Sequence, residues 1–373
     1  MVMKRMLLML LLLACVLGWN VACAESNGQF EYEISGGGCT LLSYLGKDAN
    51  VTIPSKIDGW PVTAIGSHCF NGRDLKSVSI PSSVTVIGER AFYANPELRS
   101  VKLPSGLTTI GSEAFSDTGL ISVTLPDSLT SLGEFAFFCC YSLEQVTIPG
   151  SVKTISSAAF ARCTSLKSVT LSEGIETIGN QAFYGCTSLT KITFPQSVRY
   201  MEWSAFGACT SLAAVHMNDG LTTIGEDCFK DCTSLTALTI PSGVTVIETN
   251  AFRRCEALQS VTFHDGVAQI ADYAFWECHA LTAVELPYYC ECAVKAFLPT
   301  VTITRMARPR VAGDANVDGV IDMRDALRML RHLAGWDVTM DESNADVNGD
   351  GAFDMRDALR MLRYLADWNV TLQ

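Results

Sequence analysis

The sequence predicts a solenoid of short β-strands and turns, with about 23 residues per repeat, followed by a small all-α module of two loop–helix motifs. Three observations support this prediction. A phenylalanine preceded by alanine or cysteine recurs every 22 or 23 residues over most of the chain. A proline that follows an apolar residue recurs with the same period. The ten residues DMRDALRMLR occur twice near the C-terminus, beginning at Asp322 and at Asp354.

The composition is that of a well-folded protein with excess negative charge. Of 373 residues, 48% are hydrophobic and 18% are charged, which is typical of folded chains. A chain of this length exceeds one ordinary domain unless it is a repeat array, which grows in one dimension. The net charge of −12 argues against nucleic acid and acidic membrane surfaces as partners, because both attract positive charge. Divalent cations are the expected counter-ions.

Residues 1–24 are predicted to be a signal peptide. Lys4 and Arg5 precede an apolar run that is too short to favour a membrane span, and Ala22-Cys23-Ala24 forms a cleavage site before Glu25. The protein is therefore expected to be secreted and to lie outside the cell or at its surface. Leu12-Leu13-Ala14-Cys15 also resembles a bacterial lipobox, so lipid anchoring at Cys15 remains an alternative. No later segment is predicted to span a membrane.

Residues 51–304 consist of one unit written repeatedly, as in VTLSEGIETIGNQAFYGCTSLTKI from Val169. Alternating apolar and polar residues predict a short strand that ends at a proline, which cannot extend a hydrogen-bonded ladder. The Ala-Phe segment then turns the chain and buries its ring. One unit cannot bury its own apolar face, so neighbouring units are expected to stack. The recurring phenylalanines are Phe70, Phe92, Phe115, Phe137, Phe160, Phe183, Phe206, Phe229, Phe252, Phe275 and Phe297.

Seven of the 15 cysteines mark one position of this repeat. A small, weakly polar side chain suits a buried stack, so the spacing favours inert buried thiols over disulfides. The strained geometry of a short bridge makes pairing of Cys290 with Cys292 unfavourable. The seven are Cys140, Cys163, Cys186, Cys209, Cys232, Cys255 and Cys278.

These units resemble the BspA-like leucine-rich repeats of bacterial surface proteins, and residues 25–50 are similar to that family's N-terminal cap. The resemblance implies a leucine-rich-repeat solenoid whose exposed strand face binds other macromolecules, often proteins. One exposed strand position is accordingly predicted to form the ligand face of the solenoid. Threonine is also favoured in strands for its shape, so the same ladder is compatible with plain strand surface. The predicted ladder is Lys102, Thr124, Thr147, Thr170, Thr193, His216 and Thr239.

After a predicted linker at 305–312, residues 313–373 contain two twelve-residue loops, DANVDGVIDMRD and DVNGDGAFDMRD. Each loop places oxygen ligands at alternating positions around a sharp glycine turn, as in the calcium loop of an EF-hand. The region carries 12 acidic residues and 6 arginines, a net charge of −6, so its folding is expected to depend on two Ca²⁺ ions. The predicted ligands are Asp314, Asn316, Asp318, the Val320 carbonyl, Asp322 and Asp325, then Asp346, Asn348, Asp350, the Ala352 carbonyl, Asp354 and Asp357.

A complete EF-hand also has a helix before its loop, but neither preceding stretch here is predicted to form one. Two loop–helix units with Asp at the last ligand position resemble a type I dockerin module, with its F-hand motifs. That resemblance implies a cohesin module on a scaffold protein as the partner, as in cellulosomes.

The two predicted helices carry the same exposed residues. Met323, Ala326, Leu327, Leu330, Leu333 and Ala334 are predicted to form the buried stripe of the first helix, with its arginines on another face. By the dockerin resemblance, the first two helical residues of each motif help to select the cohesin. Two equal faces would allow docking in two orientations, although the best-known dockerins carry small hydroxyl residues there. The predicted cohesin-binding residues are Met323, Arg324, Arg328, Arg331, Met355, Arg356, Arg360 and Arg363.

The sequence favours a non-catalytic exported protein that docks onto a cohesin-bearing scaffold and presents a solenoid for an unknown protein ligand. A cell-surface adhesin and an accessory factor in polysaccharide degradation are the alternatives. An enzyme is not predicted. The five histidines show no zinc-ligand spacing, and no pair of catalytic carboxylates stands apart from the repeats and the loops.

Overall fold

A computed structural model describes residues 24–307, 311–317, 319–366 and 371–372. Residues 1–23 of the predicted signal peptide, including Cys15, and the predicted ligand Asp318 lie outside the described residues. The chain divides into two compact units, Met1–Arg305 and Met306–Gln373. Within the described ranges, no helix has the length and apolar character needed to cross a membrane.

The first unit is a β-solenoid of about 12 turns of about 23 residues. Its N-terminal end is covered by an antiparallel arrangement of β1 (Glu25–Ser26), β2 (Phe30–Ser35) and β3 (Gly38–Tyr44). A further hairpin joins β5 (Lys56–Ile57) to β6 (Trp60–Ile65), and β3 pairs in parallel with β6. From there the chain winds in parallel turns.

Each turn contributes two short strands to two separate sets. The first set is β4 (Asn50–Thr52), β7 (Ser77–Ser79), β9 (Val101–Lys102), β11 (Ser122–Thr124), β13 (Gln145–Ile148), β15 (Ser168–Leu171), β17 (Lys191–Thr193), β19 (Ala214–His216), β21 (Ala237–Thr239), β23 (Ser260–Thr262), β25 (Ala283–Leu286) and β27 (Thr302–Arg305). The second set continues from β6 through β8 (Val86–Ile87), β10 (Thr109–Ile110), β12 (Ser131–Leu132), β14 (Thr154–Ile155), β16 (Thr177–Ile178), β18 (Tyr200–Met201), β20 (Thr223–Ile224), β22 (Val246–Ile247), β24 (Gln269–Ile270) and β26 (Glu291–Cys292).

Strands of the first set form sheets of two or three parallel strands with the repeat kept in register. Thr124 pairs with Thr147, and Thr147 pairs with Thr170. Along β13 the residues alternate between exposed and buried, because successive side chains of a strand point to opposite faces. The alternation places the threonine ladder in solvent and the valine and isoleucine side chains inside.

The recurring phenylalanines form one continuous column through the core. Neighbouring rings from Phe70 to Phe297 stack with centroids 5.0 to 5.5 Å apart and planes within 11° of parallel. Most turns place a residue with positive φ two positions before the ring and another two positions after it, as Arg90 and Ala94 do around Phe92. This left-handed backbone lets the Phe segment fold sharply inward.

The cysteine column lies beside the phenylalanine column and is fully buried. The seven Sγ atoms each lie 3.1 to 3.3 Å from the carbonyl oxygen of the Phe in the preceding turn. Burial raises the pKa of the Cys209 thiol to about 12 and the pKa of Cys186 well above its usual value. None of the described cysteines forms a disulfide. Cys186 and Cys209 are therefore protonated hydrogen-bond donors.

The second unit contains three helices: α1 (Met323–Leu333), α2 (Glu342–Ala345) and α3 (Met355–Leu365). Each long helix begins at an aspartate, Asp322 or Asp354, that accepts a hydrogen bond from the backbone two residues later. This is a favourable N-cap. The small core between the helices consists of Ala315, Ala326, Met329, Ala345, Val347, Ala358 and Met361.

Candidate functional site

The two predicted calcium loops share one hydrogen-bonding pattern. At the sixth loop position, Gly319 and Gly351 adopt φ values of 86° and 85°, which suit glycine. Their N–H groups each donate to the carboxylate at the first position, Asp314 or Asp346, at 3.0 Å. The sharp turn thus draws the first ligand of each loop inward.

The carboxylate at the twelfth position closes each loop. Asp325 accepts hydrogen bonds from the N–H groups of Asn316, at 3.0 Å, and Asp322, at 2.9 Å. Asp357 accepts from the corresponding groups of Asn348, at 3.2 Å, and Asp354, at 2.9 Å. Both carboxylates are fully buried although they belong to the first turn of a helix. The loop and the helix are therefore one structural unit.

The donor set fits a hard cation such as Ca²⁺. Each loop combines buried carboxylates with an asparagine amide and a main-chain carbonyl, and Ca²⁺ prefers oxygen ligands of these kinds. Over the described ranges, no three Asp, Glu, His or Cys side chains form a ready-made metal site. The asparagine and main-chain oxygens of the loops would complete such a ligand set, as in an EF-hand.

The loops differ at their fourth position. Gly349 in the second loop has φ 75°, whereas Val317 in the first loop adopts φ 64°. A β-branched residue in the left-handed region is strained, because its Cβ approaches the backbone closely. The sequence gives the first loop the less favourable backbone.

The buried stripe predicted for the first helix was partly wrong. Met323 and Leu327 are 60% and 44% exposed, and Ala334 is exposed as well, whereas Met329 is fully buried. The reason is Asp325, whose side chain must point into the loop. This fixes the rotation of the helix so that Ala326 and Met329 face the core. Two apolar side chains at helical spacing are left in solvent.

The second long helix repeats this arrangement. Met355 and Leu359 are 58% and 47% exposed, and Met361 is fully buried. Arg324 and Arg356 each form an ion pair with the N-cap aspartate two residues earlier, at 2.8 and 2.7 Å. The hydrogen bond from each arginine holds the pKa of its aspartate below the usual value.

The other predicted cohesin-binding arginines have contacts of their own. Arg328 donates to the carbonyl of Thr339 at 2.7 Å, and Arg360 donates to the carbonyl of Thr371 at 2.8 Å. Each bond fastens the segment that follows its helix. Arg331 lies over the ring of Trp336 at 5.6 Å, and Arg363 is exposed.

Sequence reasoning missed the contribution of Asn344. The stretch before the second loop forms the one-turn helix α2, where no helix was predicted. Asn344 is buried there, donates to the carbonyl of Asp314 at 3.1 Å and accepts from the N–H of Val311 at 2.9 Å. It fixes the start of the first loop from a segment 30 residues away. An asparagine in a polar run carries no sequence signal for this role.

The residues of the predicted ligand face of the solenoid are exposed and lie on strands of several short sheets. All seven residues of the predicted ladder lie at solvent-facing strand positions. Thr193 pairs directly with His216. Lys102 and Thr124 line a groove of about 780 Å³ together with Ser79, Ser100 and Ser122. The face is polar and hydroxyl-rich, without a cluster of rings.

The geometry defines a repeat solenoid joined to a pair of EF-hand-like loop–helix motifs, and comparison with protein families agrees. The model of the BspA-type leucine-rich repeat region matches six copies between residues 63 and 282, and the chain belongs to this family. The type I dockerin model matches residues 312–366. Type I dockerins bind calcium, and a dockerin implies a cohesin partner. Both modules are non-catalytic and typical of extracellular or surface-associated proteins.

Solved structures similar to this chain are other bacterial leucine-rich repeat proteins. One from T. pallidum has 29% identity and a TM-score of 0.43, over 57% of this chain and 91% of its own. One from Bacteroides ovatus has 24% identity and a TM-score of 0.36, over 76% and 100%. A leucine-rich cell surface protein of Faecalibacterium prausnitzii has 24% identity and a TM-score of 0.35, over 77% and 96%. No curated protein matches the chain.

Proposed function

We propose that this protein is an exported, non-catalytic component of a scaffolded assembly. Its dockerin binds two Ca²⁺ ions and docks onto a cohesin module of a scaffold protein, in the manner of a cellulosome. Its solenoid presents the threonine-rich strand face to a protein ligand. Lipid anchoring at Cys15 would instead place the same two modules on the cell surface as an adhesin.

The observation that carries the docking role is the pair of equivalent exposed patches on α1 and α3. We call them the α1 patch, Met323 with Leu327, and the α3 patch, Met355 with Leu359. All four side chains are between 44% and 60% exposed, and none belongs to the core between the helices. Exposed methionine and leucine at matching positions are typical of a binding surface. Two such patches support two alternative docking orientations.

Calcium-dependent binding to a panel of cohesins tests this proposal, with the full chain titrated by calorimetry in calcium and in EGTA. Serine replacements of one patch, M323S with L327S, should weaken binding only about twofold, because the other orientation remains and equivalent modes contribute equally. Replacement of both patches should weaken binding at least about a hundredfold, since buried apolar anchors dominate interface energies. Ile303→Ser, at a 46% exposed site of the solenoid, is the matched control.

Absence of binding to every cohesin in calcium would remove the docking role. Full binding after replacement of both patches would move the contact elsewhere on the module. A strong loss from one patch alone would eliminate the two-orientation proposal while keeping a single docking face.

A further inference from the structure

One turn of the solenoid carries aromatic side chains where most other turns carry polar or small ones. Phe135 and Tyr141 are 36% and 50% exposed, and Phe138 is half-buried. Phe135 also has φ 56°, an unfavourable backbone conformation for a bulky residue. Residues at its position in seven other turns are Arg90, Glu113, Ala158, Gln181, Ser204, Asp227 and Asn250.

These rings line a cavity of about 370 Å³. The residue after the column phenylalanine is Tyr93 in one turn, Ser116 in the next and Phe138 in the third. A small residue therefore stands between two rings that are two turns apart, which is about 10 Å at the spacing of paired strands. The buried Ser116 is part of the lining of this cavity, whose volume is sufficient for one extended side chain.

The same aromatic corner occurs once more in the chain. Phe135 and Phe138 meet edge to face, with centroids 5.6 Å apart and planes at 82°. Tyr273 and Trp276 occupy the equivalent positions six turns later and meet at 5.7 Å and 87°. We call the first pair the open corner and the second pair the filled corner.

Basic side chains from the neighbouring turns occupy the filled corner. The guanidinium carbon of Arg253 lies 5.8 Å from the tyrosine centroid, and the Lys295 Nζ lies 5.5 Å from it. At the open corner the equivalent positions are Ser116 and Ala158. The cavity thus lies where the filled corner receives an arginine from its own chain.

The charge at the open corner also suits a cation. The Asp117 carboxylate lines the cavity, and no side-chain partner for it is found among the described residues. Glu113 lines the cavity as well, but it is paired with Arg90 at 2.6 Å. In the part of the chain that is described, no basic side chain lies over the ring of Phe135, whereas Arg162 lies 6.0 Å from the centroid of Phe138 and Arg90 lies 5.7 Å from that of Tyr93.

We propose that this cavity binds an arginine side chain of the protein ligand. The guanidinium lies over the Phe135 ring, as Arg253 lies over its tyrosine, and its charge meets the Asp117 carboxylate. This inference rests on the proposed protein-binding role of the solenoid, and it adds a specific anchor away from the strand face.

Ligand-observed NMR on the full chain tests the proposal with two small probes. Nα-acetylarginine amide is compared with Nα-acetylcitrulline amide, which has the same length and no charge. The arginine probe should bind at least about tenfold more tightly, because only it gains the cation–π and charge-assisted contacts. Phe135→Gln and Asp117→Asn should each weaken it about tenfold. Gln181 shows that glutamine is accepted at the Phe135 position.

Two further variants sharpen the test. Ser116→Arg should fill the cavity from within, as Arg253 does at the filled corner, and abolish probe binding with little change in Tm. Asp219→Asn, at an exposed carboxylate on another turn, is the control and should bind as the wild type does.

Equal binding of the two probes, or unchanged binding in both Phe135→Gln and Asp117→Asn, would overturn the proposal. Preferential binding of cellobiose in this cavity would overturn it in favour of a carbohydrate ligand. Cohesin titrations of the same variants separate the proposals, because docking should be unaffected. A protein ligand captured equally by the wild type and these variants would refute the arginine site while leaving the protein-binding role intact.

Discussion

The cysteine column allows a sharp test of how successive turns are held together. Cys186 is fully buried, and its Sγ donates to the carbonyl of Phe160 at 3.2 Å. In an earlier turn, Thr118 has the equivalent position and donates to the carbonyl of Phe115, in its own turn, at 2.7 Å. Asn95, one turn before that, donates to the carbonyls of Phe70 and Phe92. The position therefore requires a hydrogen-bond donor, and small size alone does not explain which residues occupy it.

Threonine and valine replacements separate the two explanations, because they have nearly the same shape and only threonine can donate. We consider Cys186, Cys209 and Cys232 replaced together, either all by threonine or all by valine. A net hydrogen bond contributes about 1 kcal/mol, so the threonine triple variant should be more stable by about 3 kcal/mol if the three sites add. For a unit of this size, this corresponds to a Tm higher by about 6 °C.

Differential scanning calorimetry of the full chain in calcium measures this difference on the solenoid transition. Thr118→Val serves as the companion measurement and should lower the Tm of the wild type. Burial alone favours valine over threonine, so the two explanations predict opposite signs for the difference in Tm between the triple variants. A valine triple variant as stable as the threonine one, or more stable, would refute the hydrogen-bond explanation.

Three other predictions follow from the described contacts. EGTA should abolish the helical CD signal and the calorimetric transition of residues 306–373 while leaving the solenoid transition in place, since buried carboxylate loops depend on the cation; an unchanged chelated module would contradict this. Val317→Gly should raise the calcium affinity of the first loop about fivefold, because it removes left-handed backbone strain of about 1 kcal/mol. Gly349→Val should lower the calcium affinity of the second loop. Calorimetric titrations in which neither variant changes the affinity would contradict this prediction. Burial raises the pKa of Cys209 from 9.0 to about 12, so between these pH values only the unfolded thiol ionises. The contribution of each such thiol to the free energy of unfolding should be complete below pH 9 and should fall above pH 9 by about 1.4 kcal/mol per pH unit. Cys209→Thr should reduce this slope. A Tm that stays constant from pH 8 to pH 11 would contradict the prediction.

The solenoid could be predicted from the sequence because its signals recur. The period of the phenylalanines and prolines predicts the strands, the turns and their stacking, and the prediction does not depend on any one repeat. The left-handed residues around each ring could not be predicted, because positions such as Arg90 and Phe135 are occupied by residue types that rarely adopt this backbone. The donor role of the cysteines was also hidden, since asparagine, threonine and cysteine share no obvious sequence pattern.

The helices of the second unit show a different limit. Apolar spacing predicts that these side chains are buried, which is correct for Ala326 and wrong for Met323 and Leu327. The competing requirement was the carboxylate of Asp325, which has to reach the loop and therefore fixes the rotation of the helix. If the helix is first oriented by the last loop ligand, and only then by the apolar stripe, the correct buried face is predicted.

The same rotation of the helices separates the duplicated residues into buried and exposed ones. The core and the loops account for the repetition of Asp325, Ala326 and Met329 as Asp357, Ala358 and Met361, because these side chains are buried. They do not account for the repetition of the α1 patch as the α3 patch, whose side chains are exposed. Stability would accept many polar residues there, and exposed methionine and leucine add a risk of aggregation. A partner that contacts either helix in the same way explains both the apolar character and the identity, and this supports cohesin docking in two orientations.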